Sequence, residues 1–392
     1  MRYKKNINSI LTFILTLGLF FGSFGCDDGN TNRDSGLCDF QAGGGFSEFQ
    51  EKALQIELDN SKENHRALGV QAAFEQGSKL WFGETGSADR NQTTPLNGCM
   101  QMRLFSITKT FTTVLALKLV EQDILNLNTT VNTWYPDLPN SSELTLMNLL
   151  SQTSGLPDYL YMSEIFLIPG KEWDHDEAIA VVATKSPNFA PGDHFAYSNT
   201  NFLIVGRIIE HVMGEPYHEL LRELVLLPAG LQDAYIEGYE PDAGYLVQES
   251  TLTPEGNYDP ENFVKDDDGS FGIFHPSLTW AAGGLIINHE DVMKFGHALF
   301  KGNLLSTSSF ITMTTPIILG DGSTSPYTLG LFRKNTSLGL YFSHMGGGEC
   351  CGFHTWLGFY PDQDLIVVTL VNTGNVSASK IAGDLVEEWE SW

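Results

Sequence analysis

Three short motifs lie in fixed order along the 392-residue chain: Ser106-Ile107-Thr108-Lys109, Tyr197-Ser198-Asn199 and His344-Met345-Gly346. A Ser-x-x-Lys at the entry to a helix puts the lysine one turn after the serine on the same face. The lysine can take the hydroxyl proton when burial and nearby positive charge lower its pKa. Ser106 stands where the mostly apolar segment 102–105 enters a helix, so its own N–H becomes a candidate oxyanion donor. A tyrosine near a lysine ammonium can shuttle protons between serine and leaving group, and an asparagine can donate to a substrate carbonyl. Gly346 and Gly347 let a substrate backbone come close, and the Gly347 N–H is the second candidate oxyanion donor.

Each motif alone has a plain structural explanation. Ser377-Ala378-Ser379-Lys380 repeats the first pattern near the C-terminus without partner motifs and reads as surface. Tyr197 begins the single Tyr-x-Asn among thirteen tyrosines, yet a core tyrosine beside an N-capping residue would look the same. A lone histidine before a glycine run is usually structural. Order and spacing together outweigh these separate explanations.

With Leu149 to Pro157 (LLSQTSGLP), Phe195 to Phe202 (FAYSNTNF) and Ala281 to Leu285 (AAGGL), the chain resembles the serine β-lactamase and penicillin-binding family from about Leu68 onward. The resemblance is greatest to class C β-lactamases and their DD-peptidase and esterase relatives. It implies Ser106 as acylated nucleophile, Lys109 as its base, Tyr197 as second acid/base, and Asn199, His344, Gly346 and Gly347 as substrate-binding positions. His344 takes the place of the lysine in the family's Lys-Thr-Gly. Met345 replaces the threonine whose hydroxyl helps hold a substrate carboxylate, and methionine cannot do so. Gln152 replaces a common histidine and is expected to matter little. Arg333, on a preceding strand, is a candidate carboxylate-binding cation.

The elements that must position these groups show in the patterning. Helices are expected at Phe46–Leu58, Thr108–Glu121, Asn201–Met213 and Val376–Trp389. A hairpin is expected across Gln76-Gly77-Ser78, and strands at Tyr327–Phe332, Gly339–Ser343, His354–Tyr360 and Leu365–Val371. Strands at both ends with helices between imply an α+β fold. The resemblance makes it β-lactamase/transpeptidase-like, an antiparallel sheet flanked by helices with a helical insertion. The sheet part covers about 60–115 and 310–392 of a hydrolase domain at 46–392, and the helical part about 116–309. Specificity is expected in the insertion and its loops, including the stretch from Tyr239 to Phe274.

Hydrophobic residues make up 42% of the chain, enough for a sizeable core, and the formal charge of −26 argues against nucleic acid and anionic membrane surfaces as partners. No His-Glu-x-x-His or other metal pattern occurs, so no metal or cofactor is expected. Gly-x-Ser-x-Gly is absent too, which disfavours an α/β-hydrolase. Arg2, Lys4 and Lys5 precede an apolar run from Ile10 to Phe24, shorter than the ~20 residues of a membrane span. Ser23-Phe24-Gly25-Cys26 then resembles a lipobox. Residues 1–25 read as a lipoprotein signal peptide and 26–45 as a tether, with the polar stretch Asp27–Gly36 as its flexible part. That places the domain in the cell envelope, anchored through a lipid on Cys26. In an oxidising compartment Cys38, Cys99, Cys350 and Cys351 can form two disulfides. A vicinal bridge would be strained, so pairs joining Cys350 and Cys351 to Cys38 and Cys99 are favoured.

The expected activity is a serine hydrolase working through an acyl-enzyme. Its expected substrates are D-amino-acid peptides of the D-Ala-D-Ala carboxypeptidase kind, with peptidoglycan as a partner, or small esters and amides. A class C-like β-lactamase is one alternative. A penicillin-recognising sensor that acylates and never turns over is another. Growth with labelled palmitate should tag the wild type and leave Cys26→Ser untagged; an untagged wild type would end the lipoprotein reading.

Overall fold

The computed structural model describes residues 44–392 apart from 169, 255, 260–263, 266–270, 273–274 and 349–350. The expected signal peptide, the Cys26 lipidation site, Cys38, Cys350 and part of the Tyr239–Phe274 stretch lie outside the described residues.

Six antiparallel strands form the main sheet: β1 (Gly69–Gln76), β2 (Lys79–Gly86), β3 (Phe332–Thr336), β4 (Gly339–Gly348), β5 (Phe353–Tyr360) and β6 (Leu365–Val371), in the spatial order β3-β4-β5-β6-β1-β2. The two chain ends of the domain therefore meet at the centre, where β1 pairs with β6 from Val70↔Val371 to Gln76↔Leu365. Both central strands are buried on both faces because both faces are covered. Val70, Ala72, Phe74, Leu365, Val367 and Val371 face a core shared with Leu54, Leu58, Ile381 and Leu385. Ala73, Ile366, Val368 and Leu370 face the larger core of the helical side.

On the first face lie α1 (Glu48–His65) and the C-terminal helix, Ala378–Glu390. Ser47 and Gln50 form a reciprocal cap that starts α1. The helix runs past the expected stop at Asp59-Asn60-Ser61 because Ser61 is buried and bonds to Asp384 on the C-terminal helix. On the other face, α2 (Thr108–Glu121) is the central helix. It is apolar or small nearly all round and buried on nearly every side, as a helix inside a core must be. Phe111 of α2 stacks on Phe295 at 3.5 Å between ring centroids. Phe295 belongs to the helix His289–Phe300, which packs on the sheet: a Cβ on Gly296 would stand 3.2 Å from Ile366 and 3.3 Å from Leu357. The sheet layer thus takes in residues that the sequence assigned to the helical part.

Two strand assignments shift. Gly330, at φ 69°, sits in a tight turn in which the Thr328 N–H donates to the Leu331 carbonyl, so β3 begins at Phe332 and not at Tyr327. β4 runs five residues beyond Ser343, pairing His344 through Gly348 with β5. The third motif is therefore part of a strand, and its glycines lie against the turn that carries Ser106.

Candidate active site

Ser106 lies in a single 3₁₀ turn, Phe105–Ile107, which runs directly into α2. Phe105 holds a positive φ of 49°, a conformation uncommon for a bulky residue and common beside functional groups. One turn later the Lys109 side chain is fully buried. Its Nζ stands 3.0 Å from Ser106 Oγ, 2.7 Å from Asn199 Oδ1 and 2.7 Å from the Ala282 carbonyl. A neutral amine has two hydrogens and one lone pair. The asparagine oxygen and the carbonyl accept the two hydrogens, which leaves the lone pair for the Ser106 hydroxyl. Burial pushes the Lys109 pKa down to about 7, while the Asp158 charge pulls it the other way. Near neutrality a large fraction of Lys109 is therefore free base.

Asn199 is held by its neighbour. Asp158 Oδ2 accepts from both the Asn199 main-chain N–H (3.1 Å) and its Nδ2 (2.8 Å), and Oδ1 accepts from Leu160 N (3.1 Å). These bonds fix which way the amide faces, so that Oδ1 points at Lys109. The Asn199 side chain lines the site, as expected, but it is first a holder of the base, with one N–H left over for a substrate. Asp158 follows directly on the LLSQTSGLP run, yet sequence reasoning passed over it. A lone acid after a proline reads as a turn residue, and only the fold brings it to Asn199.

Tyr197 presents a buried hydroxyl with no hydrogen-bond partner among the described residues. Burial pushes its pKa up strongly; Ser106 is close enough to oppose that shift, though no well-aligned bond forms between them. Lys109 Nζ lies 5.0 Å from the Tyr197 ring centroid. Tyr197 is therefore a protonated phenol, able to donate and not poised as a phenolate. Gln152, expected to matter little, pins this motif in place. It is fully buried, holds φ 59°, and its Oε1 accepts from the Ser198 N–H at 2.9 Å and from Asn201 Nδ2. Its carbonyl accepts from Ala196 N at 3.1 Å. The segment carrying Tyr197 is thus clamped on both sides.

His344 differs from its expected role as a substrate-binding residue. Its Nδ1 donates to the Met345 carbonyl at 2.8 Å, and its Nε2 accepts from Tyr327 at 2.9 Å. The Met345 carbonyl can only accept, so Nδ1 carries the hydrogen, and Nε2 of the neutral ring accepts from the Tyr327 hydroxyl. Burial and the Lys109 charge push the histidine down to about 3, so it is neutral wherever a carboxylate substrate would be charged. It lies behind the cavity wall, packed near Tyr197 at 6.3 Å, while Met345 points outward, 43% exposed. The glycines come closer to the chemistry. A Cβ on Gly346 would stand 2.1 Å from the Leu104 carbonyl and 2.9 Å from Ser106 N, so only glycine permits this approach. Gly347 lines the cavity with Ser106.

That cavity has a volume of about 410 Å³. Phe105, Leu160, Tyr161, Phe166 and Leu278 give it apolar walls; Ser106, Tyr197 and Asn199 form its reactive side, and Cys351 and Gly347 border it. Asp158 is its one charged side chain among the described residues. Arg333 does not line it: it sits on edge strand β3 paired with Phe342, so the suggested carboxylate-binding cation is misplaced. Lys380, in the second Ser-x-x-Lys, is exposed on the C-terminal helix. Cys99 is disulfide-bonded. Among the described residues no cluster of His, Cys, Asp and Glu suits a metal ion.

Residues 51–386 match the Beta-lactamase family. The chain is 27% identical to "Penicillin-binding protein 4*" of Bacillus subtilis (strain 168), with 82% of this chain and 71% of that protein covered. It is 26% identical to "D-aminopeptidase" of Gluconobacter oxydans (strain 621H), with 80% and 57% covered. Thus it spans between about half and three quarters of the length of these relatives. Among solved structures, D-amino acid amidase from Ochrobactrum anthropi SV3, complexed with L-phenylalanine amide, superposes with a TM-score of 0.74 at 23% identity, covering 88% of this chain and 99% of that one. The chain belongs to the Beta-lactamase family and is a serine hydrolase of the β-lactamase/DD-peptidase type.

Removing the Asp158 charge should change the pH dependence in a defined direction. Asp158 favours the Lys109 ammonium, so Asp158→Asn should lower the Lys109 pKa. The acid limb of kcat/KM would then move to lower pH, by on the order of one unit, with a lower plateau from the loosened Asn199. Tyr197 and His344, the other titratable groups facing Lys109, stay uncharged through that window. A limb that moves up, or stays put, contradicts the assignment of Lys109 as the titrating base.

Proposed function

We propose that the protein hydrolyses amides and esters of apolar amino acids, D-aminoacyl amides and peptides foremost. The observation that carries this reading is the cavity: apolar walls, one acidic side chain and no cation among the described residues, opening on Ser106. Such a site suits an apolar side chain and a free amino end, whose ammonium would face Asp158. Among the described residues it offers no cation for the free carboxylate of a β-lactam or of a D-Ala-D-Ala terminus, since His344 is neutral and Arg333 does not line it; a buried carboxylate without a partner is costly. The relatives named D-aminopeptidase and D-amino acid amidase support the same substrate class.

In the proposed cycle the neutral Lys109 takes the Ser106 proton as Oγ attacks the acyl carbon. The developing oxyanion is met by the N–H groups of Ser106 and Gly347. Tyr197, kept protonated by burial, gives its proton to the departing amine or alkoxide and is reprotonated through Lys109. Water, deprotonated by the same pair, then releases the acid and regenerates Ser106. Export and a lipid anchor at Cys26 remain part of the proposal, supported by the basic start and apolar run of the leader, with cell-wall peptides as one accessible substrate source.

A substrate panel tests this reading: D- and L-phenylalanine amide, N-acetyl-D-phenylalanine amide, D-Ala-D-Ala and a chromogenic cephalosporin. D-phenylalanine amide should be turned over best, with kcat/KM at least roughly tenfold above D-Ala-D-Ala, and Ser106→Ala should be inactive on all. Preference for the cephalosporin or for D-Ala-D-Ala would overturn it.

A further inference from the structure

The Ala282 carbonyl that holds Lys109 belongs to the helix Pro276–Gly283, whose hydrogen-bond run contains one residue that is not helical. Trp280 has φ 27° and ψ −119°, a conformation that L side chains rarely adopt. Just after this kink, successive main-chain groups meet α2 in register. The Ala281 carbonyl accepts from Thr112 Oγ1 at 2.7 Å, the Ala282 carbonyl from Lys109 Nζ at 2.7 Å, and the Leu285 N–H donates to Thr108 Oγ1 at 3.2 Å. A regular helix would turn the Ala281 and Ala282 carbonyls along its own axis, toward residues further on in the chain.

A backbone held in a rare conformation persists only when its surroundings fix it. Here the Trp280 ring, buried to 1% exposure, is the fixing element. It stacks on His175 at 3.8 Å between centroids and 21° between planes, and meets Tyr217 edge-on at 5.0 Å. Gly206 leaves room for it: a Cβ there would stand 2.7 Å from both the Trp280 ring and Ala281. His175 is itself tied to the start of the kinked helix, its Nε2 lying 3.1 Å from the Ser277 carbonyl and 3.1 Å from the Tyr239 hydroxyl. Burial pushes His175 down to about 4, so it stacks as a neutral ring.

We infer that Trp280 and His175 are positioning residues for the catalytic base: their stacked rings lock the kink that aims the Ala282 carbonyl at Lys109 Nζ. Neither ring lines the cavity, so neither touches substrate. Without the stack the kink relaxes toward a regular helix, the carbonyl turns away, and the Lys109 lone pair is no longer directed at Ser106.

The inference rests on the hydrolase reading, and the test keeps the two apart by using a fluorophosphonate probe that needs no knowledge of the natural substrate. The probe phosphonylates an activated serine with loss of fluoride, and its concentration dependence separates binding (KI) from reaction (kinact). His175→Ala should lower kinact on the order of ten- to a hundredfold with KI within about twofold, and His175→Phe, which restores the stack, should recover most of the rate. Should His175→Ala fail to fold, His175→Leu, which fills the space without a flat ring to stack on Trp280, gives the same reading. Folded His175→Ala that is labelled as fast as wild type overturns the proposal alone, as does a change confined to KI or a His175→Phe no better than alanine. A wild type not labelled at Ser106 removes the hydrolase reading and this proposal with it.

Discussion

A single buried amine sets the terms for this structure. Lys109 lies wholly inside the core, where a permanent ammonium would be costly, and among the described residues it makes no full ion pair. Its nearest partners are an amide oxygen, a main-chain carbonyl and the serine hydroxyl. Burial lowers the pKa of the amine, and its acceptors direct the remaining lone pair. The neighbours continue the same logic. Asp158 orients Asn199, Gln152 clamps the segment carrying Tyr197 and Asn199, and burial keeps Tyr197 and Tyr327 protonated and His344 neutral. Around Lys109 the site is built largely of neutral dipoles, with Asp158 as the charged exception, and relies on their preorganisation, a source of electrostatic stabilisation that requires no rearrangement during reaction.

The fold supplies what that arrangement requires. α2 can bury a lysine because the rest of its surface, Lys118 and Glu121 apart, is apolar or small and is covered by the helices around it, His289–Phe300 among them. The sheet brings the glycines of β4 against Ser106 at distances no side chain would allow. The kinked helix at Trp280 brings a carbonyl into the core that would otherwise have been spent within a helix. Three distant parts of the chain thus converge on one turn, the entry to α2.

Much of this was legible in the sequence. Ser106 and Lys109 share a helical face as their spacing demands, and α2 and β6 have the expected bounds. Tyr197 and Asn199 stand where the motif order put them. What could not be read was the direction of polar side chains. The ring nitrogens of His344 turn to Tyr327 and to its own strand, a choice made by a tyrosine seventeen residues away in sequence. Gln152 looked like an incidental replacement because its partners, the Ser198 N–H and the Asn201 amide, become neighbours only in the folded chain. Asp158 and the Ala282 carbonyl were missed for the same reason, the second because a main-chain group leaves no mark on composition. Arg333 was suggested from its place before the motif, but an edge strand carries it away from the cavity. The helix at Glu48–His65 outran its Asp-Asn-Ser stop because tertiary packing of Ser61 overrode local preference.

The most direct test of the account is to titrate the Lys109 amine itself by NMR of protein labelled with ¹³C at the lysine ε carbon, assigned with a Lys109→Arg variant. The expected midpoint is about 7, far below the ordinary lysine value of 10.5. A Lys109 signal that titrates with the surface lysines would mean that the amine is charged at neutral pH and is not the base that activates Ser106.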